Sequence, residues 1–126
     1  MAPGQVNGAG KMPFMNTPNP TVRLKNAWRS SHPWIFQKLV EKPAAKPKSG
    51  TLVEVVGVDG EWIGRGFYNG HSRSAVRVLE THPDIPVDAG WFSRKIADAV
   101  SLRRDVLKLD AVSDAWRVVH SEGDGL

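Results

Sequence analysis

Cysteine is absent from the 126 residues of the sequence, which excludes disulfides and thiolate metal sites and fits a reducing compartment such as the cytoplasm. No apolar run approaches the roughly 20 residues that a membrane-spanning helix needs. Residues 1–16 lack the apolar segment of a secretory signal. The four histidines are scattered without ligand spacing. We therefore expect a cytoplasmic protein that binds neither a membrane nor a metal.

Motifs for catalysis or cofactor binding are also missing. Four glycines lie between residues 57 and 66, but they fall in a predicted hairpin with no helix N-terminus after them to hold a phosphate. His71 and Ser72 are adjacent, yet no acid is positioned to complete a hydrolytic triad. The sequence leaves the role of Glu122 and Asp124 open. No catalytic or cofactor-binding residue is predicted, and whether the protein is an enzyme stays undecided.

Positive charge is what the sequence has in excess. Lys and Arg number 17 against 13 Asp and Glu, a net charge of +4. The excess lies in residues 21–82, which carry ten basic and five acidic side chains. A basic excess confined to one segment indicates an anionic partner. The alternative is an ordinary solvated surface.

Pro, Gly and Asn crowd residues 1–20, which predicts a disordered N-terminal arm. A short strand is expected at 22–25 and a short helix at 27–32, ended by Pro33. An extended aromatic segment then starts at Trp34. We divide the remaining chain into a β-barrel domain at 21–85 and a helix-plus-strand segment at 86–126, the start of a further domain.

A β-hairpin is predicted by the β-branched run at 50–58 and the returning strand at 61–69, because Asp59-Gly60 is a strong type I′ turn signal. Gly64 and Gly66 lie two apart in the second strand. They indicate a bulge, a sharp bend or a close backbone approach. Another strand follows at about 74–80, so the pattern favours a small barrel.

One amphipathic helix is predicted from about 88 to 109, with Asp88 as its N-cap. It has little but the barrel to pack against, so part of its apolar face would stay exposed and favour a homodimer. Residues 116–126 start like a strand that has no visible partner after it.

A binding surface is the function that the residues favour. Trp34, Phe36 and Phe67 are expected to be core, whereas Tyr68 could be core or surface. His32 could cap the short helix or face a partner. Guanidinium groups suit phosphates, and exposed rings can stack bases. The candidate contacts with an anionic partner, which the resemblance described next implies to be RNA, are Arg29, His32, Lys38, Arg65, Tyr68, Asn69, Ser72, Arg73 and Arg77.

Three motifs in order carry a resemblance to a known family. They are RSSHPWIF at 29–36, GEWIGRGFYNGHS at 60–72 with the strand around Arg77, and a helix followed by RVVHSEGDGL at 117–126. Together they resemble the N-terminal PUA domain, with the start of the central domain, of bacterial methyltransferases that modify cytosine in large-subunit (23S-type) ribosomal RNA. Gly70 and Ser74 depart from the family pattern, which usually has proline and an apolar residue there.

The resemblance implies an α+β, mainly β fold: a PUA-type small mixed β-barrel (pseudobarrel) with a short helix, then one longer amphipathic helix and a terminal strand. It implies an RNA partner, ribosomal in the family, and no cofactor in this chain, because the family binds S-adenosylmethionine through a domain that these residues lack. The alternatives are a stand-alone RNA-binding adaptor and a protein-interaction module that uses the barrel. The sequence leaves open which RNA is the target and which oligomeric state the protein adopts. It also leaves open whether the chain is a fragment or a stand-alone protein.

Overall fold

A computed structural model describes residues 18–126, and residues 1–17 lie outside that description. Its centre is a five-stranded sheet with the order β1-β3-β4-β5-β2. β1 pairs with β3 in parallel, and every other neighbouring pair is antiparallel. The strands are β1 (Thr21–Arg23), β2 (Trp34–Phe36), β3 (Leu52–Val56), β4 (Trp62–Tyr68) and β5 (Ser74–Glu80), and the helix is α1 (Ala89–Ser101).

The sheet curls until its two ends meet. Leu24, just after β1, bridges Val40, which follows β2 and the 3₁₀ turn Gln37–Leu39. The Lys25 amide donates to the Leu39 carbonyl at 2.8 Å, and the Glu41 amide donates to the Arg23 carbonyl at 2.9 Å. The predicted fold class, mainly β with a PUA-type small mixed barrel and one longer helix, is confirmed.

β-branched side chains fill the barrel, as the alternation of buried residues along the strands requires. Val22, Ile35, Val53, Val55 and Val76 all lie fully inside. Trp28, Leu39, Ile63 and Val78 pack against this core from its margin. Burial of about 25 cal/mol per Å² of apolar surface makes this cluster the main stabiliser of the barrel.

The hairpin between β3 and β4 forms where it was predicted, but its turn is not type I′. That turn needs positive φ at both central residues, and only Gly60 has it, at 81°. The Gly60 amide donates to the Gly57 carbonyl at 3.0 Å, and the Gly57 amide donates to the Glu61 carbonyl at 2.8 Å. The loop is therefore longer than two residues, with Gly60 in the left-handed position that closes it.

Gly64 and Gly66 mark a close approach of β5, one of the three predicted alternatives. A Cβ on Gly66 would overlap the backbone carbonyl of Arg77, and one on Gly64 would lie 2.8 Å from Val78 Cγ1. The pairing of β4 with β5 shifts register between Arg65 and Gly66. These glycines let the barrel bend without a steric conflict.

No helix forms at 27–32, where a short one was predicted. The Ser30 hydroxyl accepts a hydrogen bond from the His32 amide at 3.0 Å, a local bond that competes with helical pairing. The Pro33 carbonyl instead accepts from the Val78 amide at 2.7 Å and ties the segment to β5. The only helical turn near this region of the described chain is the 3₁₀ turn Gln37–Leu39.

The predicted long helix is present. Asp88 caps it by accepting from the Trp91 amide at 2.8 Å. A π-helical turn, Leu102–Val106, continues it, and Lys108 ends it with φ at 53°. Trp91 is buried with Leu52 and Val87 in a second cluster outside the barrel core. No helix within residues 18–126 is long and apolar enough to cross a membrane.

The strand expected at 116–126 does not form. This segment runs irregularly to a 3₁₀ turn, Ser121–Asp124, and hydrogen bonds from Arg103 to Asp124 hold that turn against the helix. Of the predicted N-terminal arm, residues 1–17 lie outside the described residues. Asn19 and Pro20 are placed against β3: the Asn19 side chain donates to the Glu54 carboxylate at 2.8 Å, and the Pro20 carbonyl accepts from the Glu54 amide at 2.9 Å.

Candidate nucleic-acid interface

Strand β2 puts two aromatic rings on the protein surface. Ile35 points into the barrel and is fully buried, so its neighbours Trp34 and Phe36 must point outward. Trp34 is 38% exposed and Phe36 is 45% exposed. The expectation that both rings belong to the core was wrong, because Ile35 takes the one inward position of this three-residue strand and the residues on either side of it point outward.

Cationic side chains surround these rings. Arg77 on β5 is directly opposite Trp34 in the register. The Gln37 amide donates to the Arg73 carbonyl at 2.8 Å, which holds the segment after β2 beside the start of β5. There Phe36, Gln37, Lys38 and Arg73 line a depression of about 400 Å³. Lys38 and Arg73 are exposed and form no ion pair with any residue from 18 to 126.

His32 extends this surface beyond the start of β2. Its Nδ1 accepts a hydrogen bond from the Trp34 amide at 3.2 Å, which leaves Nε2 as the protonated nitrogen of the neutral ring. The His32 ring stands edge-on to Trp34, with centroids 5.9 Å apart. Arg29 is exposed in the same segment. We call the surface formed by His32, Trp34, Phe36, Lys38, Arg73 and Arg77 the β2 strip.

A groove of about 380 Å³ runs along one end of the β2 strip. Its walls include Trp28, His32, Arg77 and Glu122. The Glu122 carboxylate accepts from Trp34 Nε1 at 3.1 Å and lies 3.5 Å from Arg77 Nη2. Its own backbone amide and the Ser121 hydroxyl, with a smaller contribution from Arg77, lower the pKa of Glu122. A negative group therefore sits beside Arg77 and partly neutralises that end of the strip.

Asp124, whose role the sequence left open, anchors the C-terminal turn to the helix. Arg103 Nη1 and Nη2 donate to its two carboxylate oxygens at 3.0 and 2.9 Å, and the His120 amide also donates to it. The hydrogen bonds from Arg103, and then the one from His120, lower the pKa of Asp124. This pair positions Glu122 over the groove.

Asn69 and Ser72 shape the turn between β4 and β5. Asn69 Oδ1 accepts from the His71 amide at 3.0 Å and from the Ser49 hydroxyl at 3.2 Å. The Ser72 hydroxyl accepts from the Ser74 amide at 3.1 Å. Such side-chain-to-backbone bonds fix turns. This one holds Arg73 at the end of the β2 strip.

Two residues from the predicted contact set lie away from the strip. Arg65 Nε donates to Glu54 at 2.7 Å, and its guanidinium also donates to the Ile85 carbonyl, so it binds β3 and the loop after β5. Glu54 further accepts from Trp62 at 2.7 Å. Burial raises the pKa of Glu54, and the hydrogen bonds, led by that from Arg65, lower it below its usual value. Tyr68 is 1% exposed and lies in the barrel core.

The comparison with protein families agrees with this architecture. The family model described as a PUA-like domain matches residues 23–81. Residues 23–81 are therefore similar to the PUA-like domain family. The match includes all of the β2 strip and every strand of the barrel from Arg23 onward. Within residues 18–126, no three His, Asp or Glu side chains are grouped to hold a metal ion in or beside this PUA-like domain.

Curated relatives of this chain carry the name ribosomal RNA large subunit methyltransferase I. The protein from Alteromonas mediterranea is 35% identical over 98 residues, and that from Vibrio cholerae is 33% identical over 98 residues. The protein from Shewanella frigidimarina is 35% identical over 96 residues. These matches cover 75–78% of this chain and 24% of each relative. The chain thus spans about a quarter of the length of these relatives, and the resemblance given by its motifs is confirmed.

Proposed function

We propose that the PUA-like domain binds RNA through the β2 strip. One observation carries the proposal: Trp34 and Phe36, large apolar rings, are exposed, with Arg77 opposite Trp34 and with Lys38 and Arg73 beside Phe36. Exposed aromatic rings stack unpaired bases, and Arg or Lys beside them neutralise the phosphates. A protein that only needed solubility would gain nothing from two exposed rings at this position.

The contacts we propose are graded by their accessibility. Arg29, Lys38 and Arg73 are exposed and meet phosphates directly, and the His32 ring offers Nε2–H as a donor. Arg77 binds a phosphate from the groove once the Glu122 carboxylate moves away from its guanidinium group. Asn69 and Ser72 act through the turn that holds Arg73, and Arg65 and Tyr68 act through the barrel.

We further propose that the RNA is ribosomal and that the protein works in the cytoplasm. The support is the name of the similar proteins, ribosomal RNA large subunit methyltransferase I. Residues 18–126 do not fit an S-adenosylmethionine site: the glycines at 57–66 lie in the β3–β4 hairpin, and α1 follows Pro86–Asp88 rather than a glycine-rich loop. The proposed role here is to hold RNA, and methyl transfer would belong to other residues. An adaptor without methyl transfer remains the second possibility.

The test replaces two exposed arginines, Arg29 just before the β2 strip and Arg73 within it. The Arg29→Glu, Arg73→Glu variant should bind a fluorescent fragment of large-subunit ribosomal RNA at least about tenfold more weakly in an anisotropy titration, because two phosphate contacts become repulsive. The matched control is Arg94→Glu with Arg117→Glu, which makes the same charge change at exposed residues away from the strip. Its affinity should stay within about twofold.

Salt dependence separates RNA binding from protein docking. The logarithm of the association constant should fall linearly with the logarithm of salt concentration, and the arginine variant should reduce the slope by about 2. Equal affinity in the two double variants, with unchanged circular dichroism, would contradict the proposal. Binding that ignores salt would favour a protein-interaction module instead.

A further inference from the structure

A pocket of about 340 Å³ opens where the barrel closes, away from the groove beside Glu122. It lies between the chain after β2 and the end of β4. Three lysines line it, with one amide and one phenol, and no carboxylate is among its lining residues. We call it the lysine pocket and define it by Lys25, Gln37, Lys42, Lys46 and Tyr68.

The Tyr68 hydroxyl is an unpartnered polar group in the wall of this pocket. The side chain is 1% exposed, and its Oη has no hydrogen-bond partner among residues 18–126. Buried hydroxyls nearly always have a partner, since burial otherwise costs them the bonds they make to water. Valine, isoleucine or phenylalanine would fill the barrel without that cost. The hydroxyl therefore indicates a group that enters the pocket.

Gly70 leaves room for the end of the Lys46 side chain in front of this hydroxyl. A Cβ at residue 70 would sit 2.9 Å from Tyr68 Oη and 2.9 Å from Lys46 Nζ, and closer still to Lys46 Cε. The phenol and the ammonium group thus converge on one point. The φ angle of Gly70 is not positive, so the backbone there does not need glycine. The absence of a side chain at residue 70 instead lets the end of Lys46 lie beside Tyr68 Oη.

From these contacts we propose that the lysine pocket binds a phosphate group. Ammonium groups of Lys46 and Lys42 supply charge, Tyr68 Oη donates one hydrogen bond, and the Gln37 amide can donate another. The lysine ammonium groups, the Tyr68 hydroxyl and the Gln37 amide nitrogen can all donate hydrogen bonds, as an oxyanion requires. A cation or a neutral ligand would leave the lysines without a partner.

The phosphate could come from the RNA backbone or from a free phosphate compound. Gln37 lines both the lysine pocket and the depression next to Lys38 and Arg73. A strand lying along the β2 strip could therefore place one phosphate in the pocket. The site does not depend on that, because the donors would bind a free phosphate in the same way. The proposal stands apart from RNA binding and is tested apart from it.

The experiment titrates the full chain with inorganic phosphate and follows backbone amide shifts by NMR. Sodium chloride at the same ionic strength is the reference. Saturable shifts should centre on residues 68–70 and 42–46. Tyr68→Phe should weaken phosphate binding about tenfold, through the loss of one hydrogen bond to a charged group. The Lys42→Gln, Lys46→Gln variant should weaken it at least as much, whereas Lys48→Gln with Lys108→Gln should not.

Two controls keep the result interpretable. Tyr68→Phe should not lower the melting temperature without phosphate, because the hydroxyl that it removes has no partner in the fold. Gly70→Ala should displace the end of the Lys46 side chain and weaken binding while the barrel stays folded. Shifts that do not saturate, or that are equal in Tyr68→Phe and the parent, would overturn the proposal.

An RNA titration of the same variants identifies the source of the phosphate. Weaker RNA binding by Tyr68→Phe, with inorganic phosphate as a competitor, assigns the pocket to the RNA backbone. Unchanged RNA affinity with lost phosphate binding assigns it to a free phosphate compound. The Arg29→Glu, Arg73→Glu variant should keep its phosphate affinity in either case, so a failure of the RNA proposal is distinct from a failure of this one.

Discussion

Glu80, the last residue of β5, joins the barrel to the helix. Its carboxylate accepts from Trp91 Nε1 at 2.9 Å and from the backbone amides of Thr81 and His82 at 2.8 and 2.9 Å. Burial alone would raise the pKa of Glu80, but these hydrogen bonds, together with one from the His82 ring, lower it from 4.5 to about 2. A folded-state pKa below the unfolded value stabilises the fold in the ionised form.

The stabilisation by Glu80 should therefore be complete above about pH 5 and be lost as the pH falls towards 2. Glu80→Gln should lower the free energy of unfolding at pH 7 by about 1–3 kcal/mol, because a charged acceptor of several bonds is lost. Urea unfolding at pH 7 and pH 3 measures this, and the difference between variant and parent should shrink at pH 3. Exposed Glu41→Gln is the control, and an equal loss there would contradict the role of Glu80.

Single residues also show where sequence reasoning reached its limit. The exposure of Arg29, Lys38 and Arg73 could be predicted from the sequence, because charged side chains without local partners stay in water. Whether Trp34 or Tyr68 is buried was not readable, since both occur in strands with apolar neighbours. Trp34 is exposed and Tyr68 is buried, because strand parity relative to the barrel interior decides each.

At the scale of elements, the hairpin and the helix follow from local signals. The β-branched run before Asp59 predicts β3, and Asp88 marks the start of α1, as observed. The missing helix at 27–32 and the missing strand at 116–126 depend on contacts between residues far apart in the chain. The Val78 amide donates a hydrogen bond to the Pro33 carbonyl, and the Arg103 guanidinium donates to the Asp124 carboxylate. Local propensity cannot anticipate such bonds.

The contact of β4 with β5 leads to a prediction about the element pair. Gly66→Ala should lower the free energy of unfolding by about 1–3 kcal/mol or more, because the new methyl group overlaps the backbone of Arg77 and forces the strands apart. Thermal or urea unfolding measures it. Gly123→Ala is the matched control, since its Cβ would have no neighbour nearer than 3.9 Å. The proposal of close strand contact fails if both variants lose the same stability.

On the scale of the whole molecule, part of the helix face remains exposed. Ile96 is 45% exposed, Val106 69% and Leu107 54%, whereas Trp91 and Ala99 on the inner side are buried. The sequence predicts that part of the apolar helix face stays exposed, and the second cluster, around Trp91, does bury only the first turns of the helix. The expected homodimer through this helix remains a proposal.

Light scattering between low and high micromolar concentration tests that homodimer. The parent chain should approach twice the monomer mass, and Val106→Asp with Leu107→Asp should return it to the monomer, because charge in an apolar interface is costly. Charged substitutions at exposed Lys108 and Asp114 should leave the mass unchanged. A monomer at every concentration would remove the proposal.

The sequence by itself determined the class of the protein: basic, without cysteine and mainly β, with motifs that resemble the PUA-like family. These properties follow from composition and from short-range patterns, which are present in the sequence before the chain folds. The tertiary structure alone decided which rings reach the surface, which cations are already paired, and that Lys25, Lys42 and Lys46 meet Tyr68 at one pocket. Such features depend on strand parity and on barrel closure, and both are properties of the folded sheet.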